Sequence, residues 1–448
     1  MRYENKIPVI DVGIVSSAEI SFTLNSTFIE SSGHQEIEGT WKAFISGNKI
    51  LLRKNASEIG FQSGIILSPK KSGDTSFTLH SVIIGVSFHW QQSEDQVFKG
   101  NLKLIIEDGR ITAVNVISLE EYLKSVISSE MSATSSGELL KAHSVISRGW
   151  LLAQAEKRYF PGKRVSEFNS ETRTEEEIVK WYDREDHINF DVCADDHCQR
   201  YQGITRASNP LVEKVIEYSE GEVLEYNGAV CDTRYYKCCG GVTELFENVW
   251  EPVNHPYLQR IVDNPVSSGL SVADLTDEGN AEKWIKERPD TFCNTSDRKI
   301  LTQVLNDYDQ MTNDFFRWKV RYNQDELSEI IKSRSGIDFG TVTDLVPVER
   351  GVSGRITRLR ITGTKREIII GKELEIRKIL SKSHLYSSCF FVEKLEENTK
   401  TWFVLQGAGW GHGVGLCQIG AAVMGEMGYS YREILEHYFP GTVLRKRY

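Results

Sequence analysis

From Pro8 to about Asn115 the chain alternates apolar and polar residues, and this limits its fold more than any other feature. Lys49-Ile50-Leu51-Leu52-Arg53, Val82-Ile83-Ile84-Gly85-Val86 and Leu102-Lys103-Leu104-Ile105-Ile106 are separated by Gly, Ser and Asn. A period of two places successive side chains on opposite faces of a strand, so the pattern predicts an antiparallel β region. Ile356-Thr357-Arg358-Leu359-Arg360-Ile361 and Glu367-Ile368-Ile369-Ile370 alternate in the same way around Thr362-Gly363-Thr364, as a hairpin would.

Two helices interrupt the strands. Ser118 followed by Glu121 reads as a capping box, and Leu119, Tyr122, Leu123, Val126, Ile127 and Met131 keep helical spacing, which predicts a helix over 119–131. After the connector Ser132 to Gly137, Leu139, Leu140, Ile146, Trp150 and Leu151 predict a second helix over 138–157, packed on the first as a hairpin. Residues 161–200 are polar and irregular, and 222–250 return to strand-like spacing at Val223-Leu224-Glu225-Tyr226. The acidic stretch Ser267 to Asn313 reads as a surface insertion, and Tyr431 to Tyr438 as a short amphipathic helix. The expected class is α+β, mainly β. The expected divisions are an N-terminal β region (1–96), a first catalytic part (97–266), the insertion (267–313) and a second catalytic part (314–448).

Composition removes several function classes. A length of 448 residues exceeds one ordinary core, and 40% hydrophobic with 26% charged residues is a folding composition. The net charge of -10, with both signs interspersed, provides no footprint for a nucleic-acid backbone. No apolar run reaches the roughly 18 to 20 residues of a spanning helix. Met1 to Ser17 lacks the basic, apolar and small-residue regions of a secretory signal, so the signal was trimmed or export is not encoded here. Eight cysteines are few for a disulfide scaffold, and the neighbours Cys238 and Cys239 do not easily bridge, so reduced or metal-bound thiols are expected.

Three constellations carry chemistry. Glu130 falls three helical turns after Leu119, on the apolar stripe. A carboxyl group buried there without a cation favours its neutral, proton-donating form, as cleavage of a glycosidic bond requires. A glutamate at a fraying helix end fits the same pattern. The run Gly407 to Gln418 alternates glycine with other residues, which demands close backbone approach or left-handed dihedrals. Such a loop suits either a groove for an extended polymer or a packed bend. In a groove Trp410 would offer a ring face to a sugar, and His412 and Gln418 hydrogen bonds. Tyr122, Arg148, Gly409, Gly411, Gly413 and Gly415 join these three as candidate substrate-binding residues. His187, Cys193 and Cys198 fall within one polar loop, with His197 beside the last, and imidazole with thiolate suits zinc. A fourth ligand would come from water or elsewhere, Cys231, Cys238 and Cys239 included, and unrelated thiols remain the plain alternative.

Taken in order, Ser118-Leu-Glu-Glu-Tyr-Leu-Lys-Ser-Val-Ile-Ser-Ser-Glu-Met131, Leu140-Lys-Ala-His-Ser-Val145 and Gly409-Trp-Gly-His-Gly-Val-Gly-Leu-Cys-Gln-Ile-Gly420 resemble the SpoIID/LytB family. The likeness continues through Tyr235-Tyr-Lys-Cys-Cys-Gly-Gly-Val-Thr-Glu244, Val249-Trp250, Val352 to Thr364 and Gly428 to Leu435, so it runs from about residue 97 to the end. It implies a lytic transglycosylase of the cell envelope that acts on peptide-free peptidoglycan strands, with Glu130 as the catalytic acid. It also implies zinc on His187, Cys193 and Cys198 in a structural role or at the cleft rim. This chain departs from the family at Ser132, where proline is usual, and at Leu416-Cys417, where Met-Ser is usual.

On that expectation Glu130 protonates the oxygen between N-acetylmuramic acid and N-acetylglucosamine. It then accepts the proton of the C6 hydroxyl as that group attacks C1, which leaves a 1,6-anhydro end and requires no second carboxylate. The expected arrangement sets Glu130 opposite the wall formed by 407–418. Two rivals stand beside this reading. One is a non-catalytic glycan-binding protein that activates a cell-wall amidase, and the other is a zinc-dependent hydrolase.

Overall fold

Short turns cut the N-terminal strands to length. Asp108 and Gly109 take left-handed angles, φ 48° and 73°, and Glu107 pairs with Arg110 across them. A two-residue loop of this kind needs positive φ at both positions, which Asp tolerates and Gly adopts freely.

The computed structural model describes residues 6–448 apart from 32–34, 72, 74, 85–91, 133, 160–168, 182–186, 196, 206–209, 266–268 and 305–314. Gly85 and Val86 of one predicted strand lie outside the described residues, as do parts of the predicted irregular and insertion segments. The chain divides into two compact units. The first comprises Met1–Ala133, Asp186–Glu222 and Lys446–Tyr448; the second comprises Thr134–Glu185 and Val223–Arg445.

In the first unit the alternating region forms ten strands: β1 (Val9–Ser17), β2 (Glu19–Glu30), β3 (Glu36–Ser46), β4 (Lys49–Lys54), β5 (Ser57–Gln62), β6 (Gly64–Pro69), β7 (Phe77–Ile84), β8 (Gln92–Phe98), β9 (Asn101–Glu107) and β10 (Arg110–Ser118). The sheet runs β1-β10-β9-β6-β2-β3-β4-β5, with β7 on β2 and β8 on β7. Ile20, Phe22 and Leu24 of β2 point inward at period two, and Phe77 stacks on Phe98 at 5.4 Å. Each such buried side chain contributes about 2 kcal/mol of apolar burial. Strand β10 is buried from Ile111 to Asn115 without alternation.

Helix α1 (Leu119–Glu130) follows β10 directly and α2 is Gly137–Tyr159. The Ser118 side chain caps α1 by accepting from the Glu121 N–H, but the reciprocal half of the predicted box is replaced by a Glu121–Lys124 ion pair at 2.5 Å. Leu119, Tyr122, Leu123, Val126 and Ile127 are buried as the stripe predicts. α1 belongs to the first unit and α2 to the second.

The second unit has a five-stranded sheet in the order Glu171–Arg173, Glu177–Lys180, Glu367–Gly371, Ile356–Gly363, Val342–Arg350. The predicted hairpin lies inside it, with Leu359 opposite Ile370 and Ile361 opposite Ile368. A second, antiparallel sheet joins Arg317–Asn323, Lys400–Ala408 and Phe390–Glu397. One core that includes Trp318, Leu345, Leu359, Phe390 and Leu405 draws on both sheets. The helix Tyr431–Tyr438 begins with a full capping box between Ser430 and Glu433. Strand outweighs helix, 39% against 25%, so the chain is α+β and mainly β. The stretch read as a surface insertion is instead partly core. Leu275, Trp284, Ile285, Phe292 and Cys293 are buried, and Trp284 packs with Val242 and Leu275.

Candidate functional site

In the first unit the site is built around the end of α1. Glu130 is its last residue, and no basic side chain occupies that last turn. Glu130 is half-buried, so the apolar stripe ends in a partly exposed residue where full burial was expected. Among the described residues nothing hydrogen-bonds or ion-pairs with that carboxylate. The negative end of a helix dipole is an unfavourable place for an acid, so local stability does not account for a glutamate here.

Tyr122 is a core residue, which corrects its assignment to substrate binding. Its ring is fully buried and stacks on Tyr201 at 4.9 Å, and its hydroxyl donates to Gln199 Oε1 at 3.1 Å. The Gln202 N–H likewise donates to Ser125 Oγ at 3.1 Å. The segment 199–202 is thereby fastened along α1.

The loop that leads into this segment carries the candidate metal-ligating residues. Val192–Cys193 forms a short parallel strand on β1, with Gly13 opposite Cys193. Phe190 lies against the bare Cα of Gly13, where an added Cβ would meet its ring at 2.6 Å. From this anchor the loop brings His187, Cys193, His197 and Cys198 together, one ligand atom from each within 4.8 Å of the others. Cys198 Sγ lies 3.5 Å from His187 Nε2 and 3.4 Å from His197 Nδ1. Hydrogen bonding from Cys198, reinforced by His187 and His197 against the opposing effect of burial, pulls the Cys193 thiol down to about 2. Two thiols and two imidazoles at this separation form a set that can hold a metal ion. His197 supplies the fourth donor that spacing left open. Its signal was its position between the two cysteines, four residues after Cys193.

In the second unit the glycine run is left-handed at every other residue: Gly409, Gly411, Gly413 and Gly415 have φ of 76°, 99°, 87° and 83°. Both reasons for glycine apply, because the close approach is to the protein's own backbone. Leu416–Cys417 pairs in parallel with Tyr235–Tyr236, and a Cβ on Gly415 would meet the Arg234 carbonyl oxygen at 2.2 Å. Buried Arg355 donates to the Gly411 carbonyl at 3.1 Å. A Cβ on Gly413 would meet its guanidinium carbon at 2.6 Å. Much of the run is thus a packed bend, and Trp410, Gly411 and His412 are its partly exposed residues.

Several predicted substrate contacts are already committed. His412 Nε2 donates to the Tyr235 carbonyl and its Nδ1 accepts from the Val414 N–H, both at 3.1 Å. Burial, then Arg234, holds this imidazole well below its ordinary range. His412 therefore fixes the loop, and neither ring nitrogen is left for a sugar. Gln418 is buried and donates to His143 Nε2 at 3.0 Å. Arg148 is fully buried. Trp410 stacks on Phe315 at 4.6 Å and meets Tyr386 edge-on at 4.9 Å.

Residues 107–226 match the family described as stage II sporulation protein, and residues 244–415 match a domain family of unknown function. An uncharacterized protein of Brachyspira hyodysenteriae is 26% identical over 77% of this chain and 71% of its own length. The amidase enhancer of Bacillus subtilis is 26% identical over 55% of this chain, which spans 34% of that longer protein. The stage II sporulation protein D of Bacillus amyloliquefaciens is 22% identical over 74% of this chain and 75% of its own. Among the described residues no helix is long and apolar enough to cross a membrane. The stretch that matches the stage II sporulation protein family contains α1, Glu130 and the cysteine-histidine loop, and with the named relatives it supports the likeness of this chain to the SpoIID/LytB family.

Proposed function

We propose that this chain cleaves the bond between N-acetylmuramic acid and N-acetylglucosamine in peptidoglycan glycan strands, with Glu130 as the single general acid and base. The observation that carries this reading is the half-buried glutamate at the end of α1, without a partner among the described residues and within the family-matching stretch. Glu130 hands its proton to the glycosidic oxygen, and the same carboxylate accepts the C6 hydroxyl proton as that oxygen closes on C1. The product carries a 1,6-anhydro end. Water takes no part, so the second carboxylate of a hydrolase pair is unnecessary.

Zinc fits the donor set of His187, Cys193, His197 and Cys198, whose chemistry is that of a closed structural site. Bound there, the ion would lock the loop that fastens α1 through Gln199 and Gln202. The protein's own residues then hold the helix that presents Glu130.

The test is Glu130→Gln on peptide-free strands, with products read by mass spectrometry. Release of anhydro ends should fall by at least about a hundredfold, the usual contribution of a positioned acid, while circular dichroism stays unchanged. Wild-type rates in the variant would remove Glu130 from the reaction. The amidase enhancer relative supports the second reading, an amidase activator. That reading predicts retention on purified glycan with no new ends from either protein.

A further inference from the structure

We propose that the second unit holds a metal ion of its own, a zinc-class divalent cation bound by Cys239, Asp263, Cys293 and Cys417. All four side chains are buried, and their ligand atoms lie within 4.8 Å of one another. Cys239 Sγ is 3.2 Å from Cys293 Sγ and 3.2 Å from Asp263 Oδ2. Tetrahedral zinc with Zn–S near 2.3 Å sets its ligands roughly 3.8 Å apart, so a small relaxation of these side chains admits the ion. A disulfide needs about 2.05 Å. An iron–sulfur cluster would force the sulfurs well apart, so the spacing suits a single ion.

Backbone donors are aimed at the ligand atoms. The N–H groups of Cys239 and Gly420 point at Cys417 Sγ, at 3.3 and 3.4 Å. The Gly241 N–H points at Cys239 Sγ at 3.3 Å, and the Cys293 N–H at Asp263 Oδ2 at 3.2 Å. Sulfur accepts such bonds well only as thiolate, the form that binds metal. Cys417 also caps the helix Gln418–Glu426, whose positive end favours an anion. The outer shell is equally ordered. Tyr438 donates to Asp263 Oδ1 at 2.6 Å, which leaves Oδ2 toward the thiols. Gly420 permits this packing, since a Cβ there would meet the Tyr438 hydroxyl oxygen at 2.2 Å.

In their metal-binding, deprotonated form, three thiolates and a carboxylate packed together without solvent are costly unless a cation balances them. A divalent ion supplies that balance and joins four segments that are distant in sequence. Soft sulfur ligands with one oxygen favour zinc over magnesium or calcium. No step of the proposed glycan chemistry runs through this site.

Metal content measured on the full chain, purified from zinc-supplemented medium, tests the proposal. Wild type should carry two ions, and His187→Ala/Cys198→Ser, which disables the loop set, should retain one. In that double variant X-ray absorption should report three sulfur ligands and one oxygen around zinc, with the second-unit ligands left intact. Adding Cys293→Ser should remove the remaining ion, or weaken the sulfur-to-metal charge-transfer bands after cobalt substitution. A metal-free double variant would overturn the site, as would a Cys239–Cys293 disulfide found in native protein by non-reducing mass spectrometry. A wild type that keeps only the ion sensitive to His187 would do the same, and none of these outcomes bears on Glu130.

Discussion

Replacing Gly415 with alanine puts two separable costs on one residue. The first is conformational, because φ is 83° and a β-carbon in the left-handed region costs about 1 kcal/mol. The second is steric, because the new atom would sit 2.2 Å from the Arg234 carbonyl oxygen, the acceptor of the Leu416 N–H at 3.0 Å. Relieving that overlap separates Leu416–Cys417 from Tyr235–Tyr236. It gives up a backbone hydrogen bond, about 1 kcal/mol, and distorts a packed core at about 1 to 3 kcal/mol more. The expected loss is therefore about 3 to 5 kcal/mol. Gly428→Ala is the matching control, since φ there is 90° with nothing within 4 Å of the added carbon, and it should lose only about 1 kcal/mol. Urea unfolding of both variants, followed by tryptophan fluorescence, measures the difference. Equal midpoints would refute the claim that packing against the 234–236 backbone, and not dihedral strain alone, demands glycine.

Three further outcomes are expected. His143 is held down to about 3 by burial and then by Lys237, whereas an unfolded imidazole titrates near 6.5. The stability it confers is complete above about 6.5 and drains as pH falls toward 3, at up to about 1.4 kcal/mol per unit; His143→Gln should flatten the dependence of the urea midpoint between pH 7 and 5, and an unchanged slope contradicts it. Tyr122→Phe should cost about 1 kcal/mol through the lost bond to Gln199 and leave KM for glycan unaltered, so a raised KM with intact stability would restore Tyr122 as a substrate contact. Chelation should raise hydrogen exchange in 187–202 and then in α1, which that segment fastens. Unchanged exchange in both segments would mean that no ion braces the loop.

Local signals that agree with packing made much of the fold readable. Ser118 and the Leu119-to-Ile127 stripe set α1 to within one residue of its end. Amphipathic spacing did the same for Tyr431–Tyr438. The paired strands Ile356–Gly363 and Glu367–Gly371 alternate because each has one covered face. Elsewhere the signal is absent because tertiary contacts supply the order. Val192–Cys193 and Leu416–Cys417 are two-residue parallel strands, too short for a period and held by distant partners. The segment 267–313 is polar on average, yet Trp284 and Cys293 reach the core from it, because a few well-placed apolar residues suffice to anchor a polar segment.

The site divides along the same line. Residue type and spacing singled out Glu130 and three of the four donors that the loop brings together, since a misplaced carboxylate and a histidine-cysteine loop each stand out locally. They could not reveal which polar side chains were already engaged. His412, Gln418 and Tyr122 looked available as hydrogen-bonding groups, but the Tyr235 carbonyl, His143 and Gln199 take those bonds. A polar side chain in a conserved-looking motif is thus ambiguous between contacting a ligand and building the wall that contacts it, and burial decides between the two. Glu130 is the exception because the residue is half-buried and its carboxyl group is unclaimed among the described residues. That contrast with the engaged side chains of His412 and Tyr122, more than the motif around it, is the physical reason to test it first.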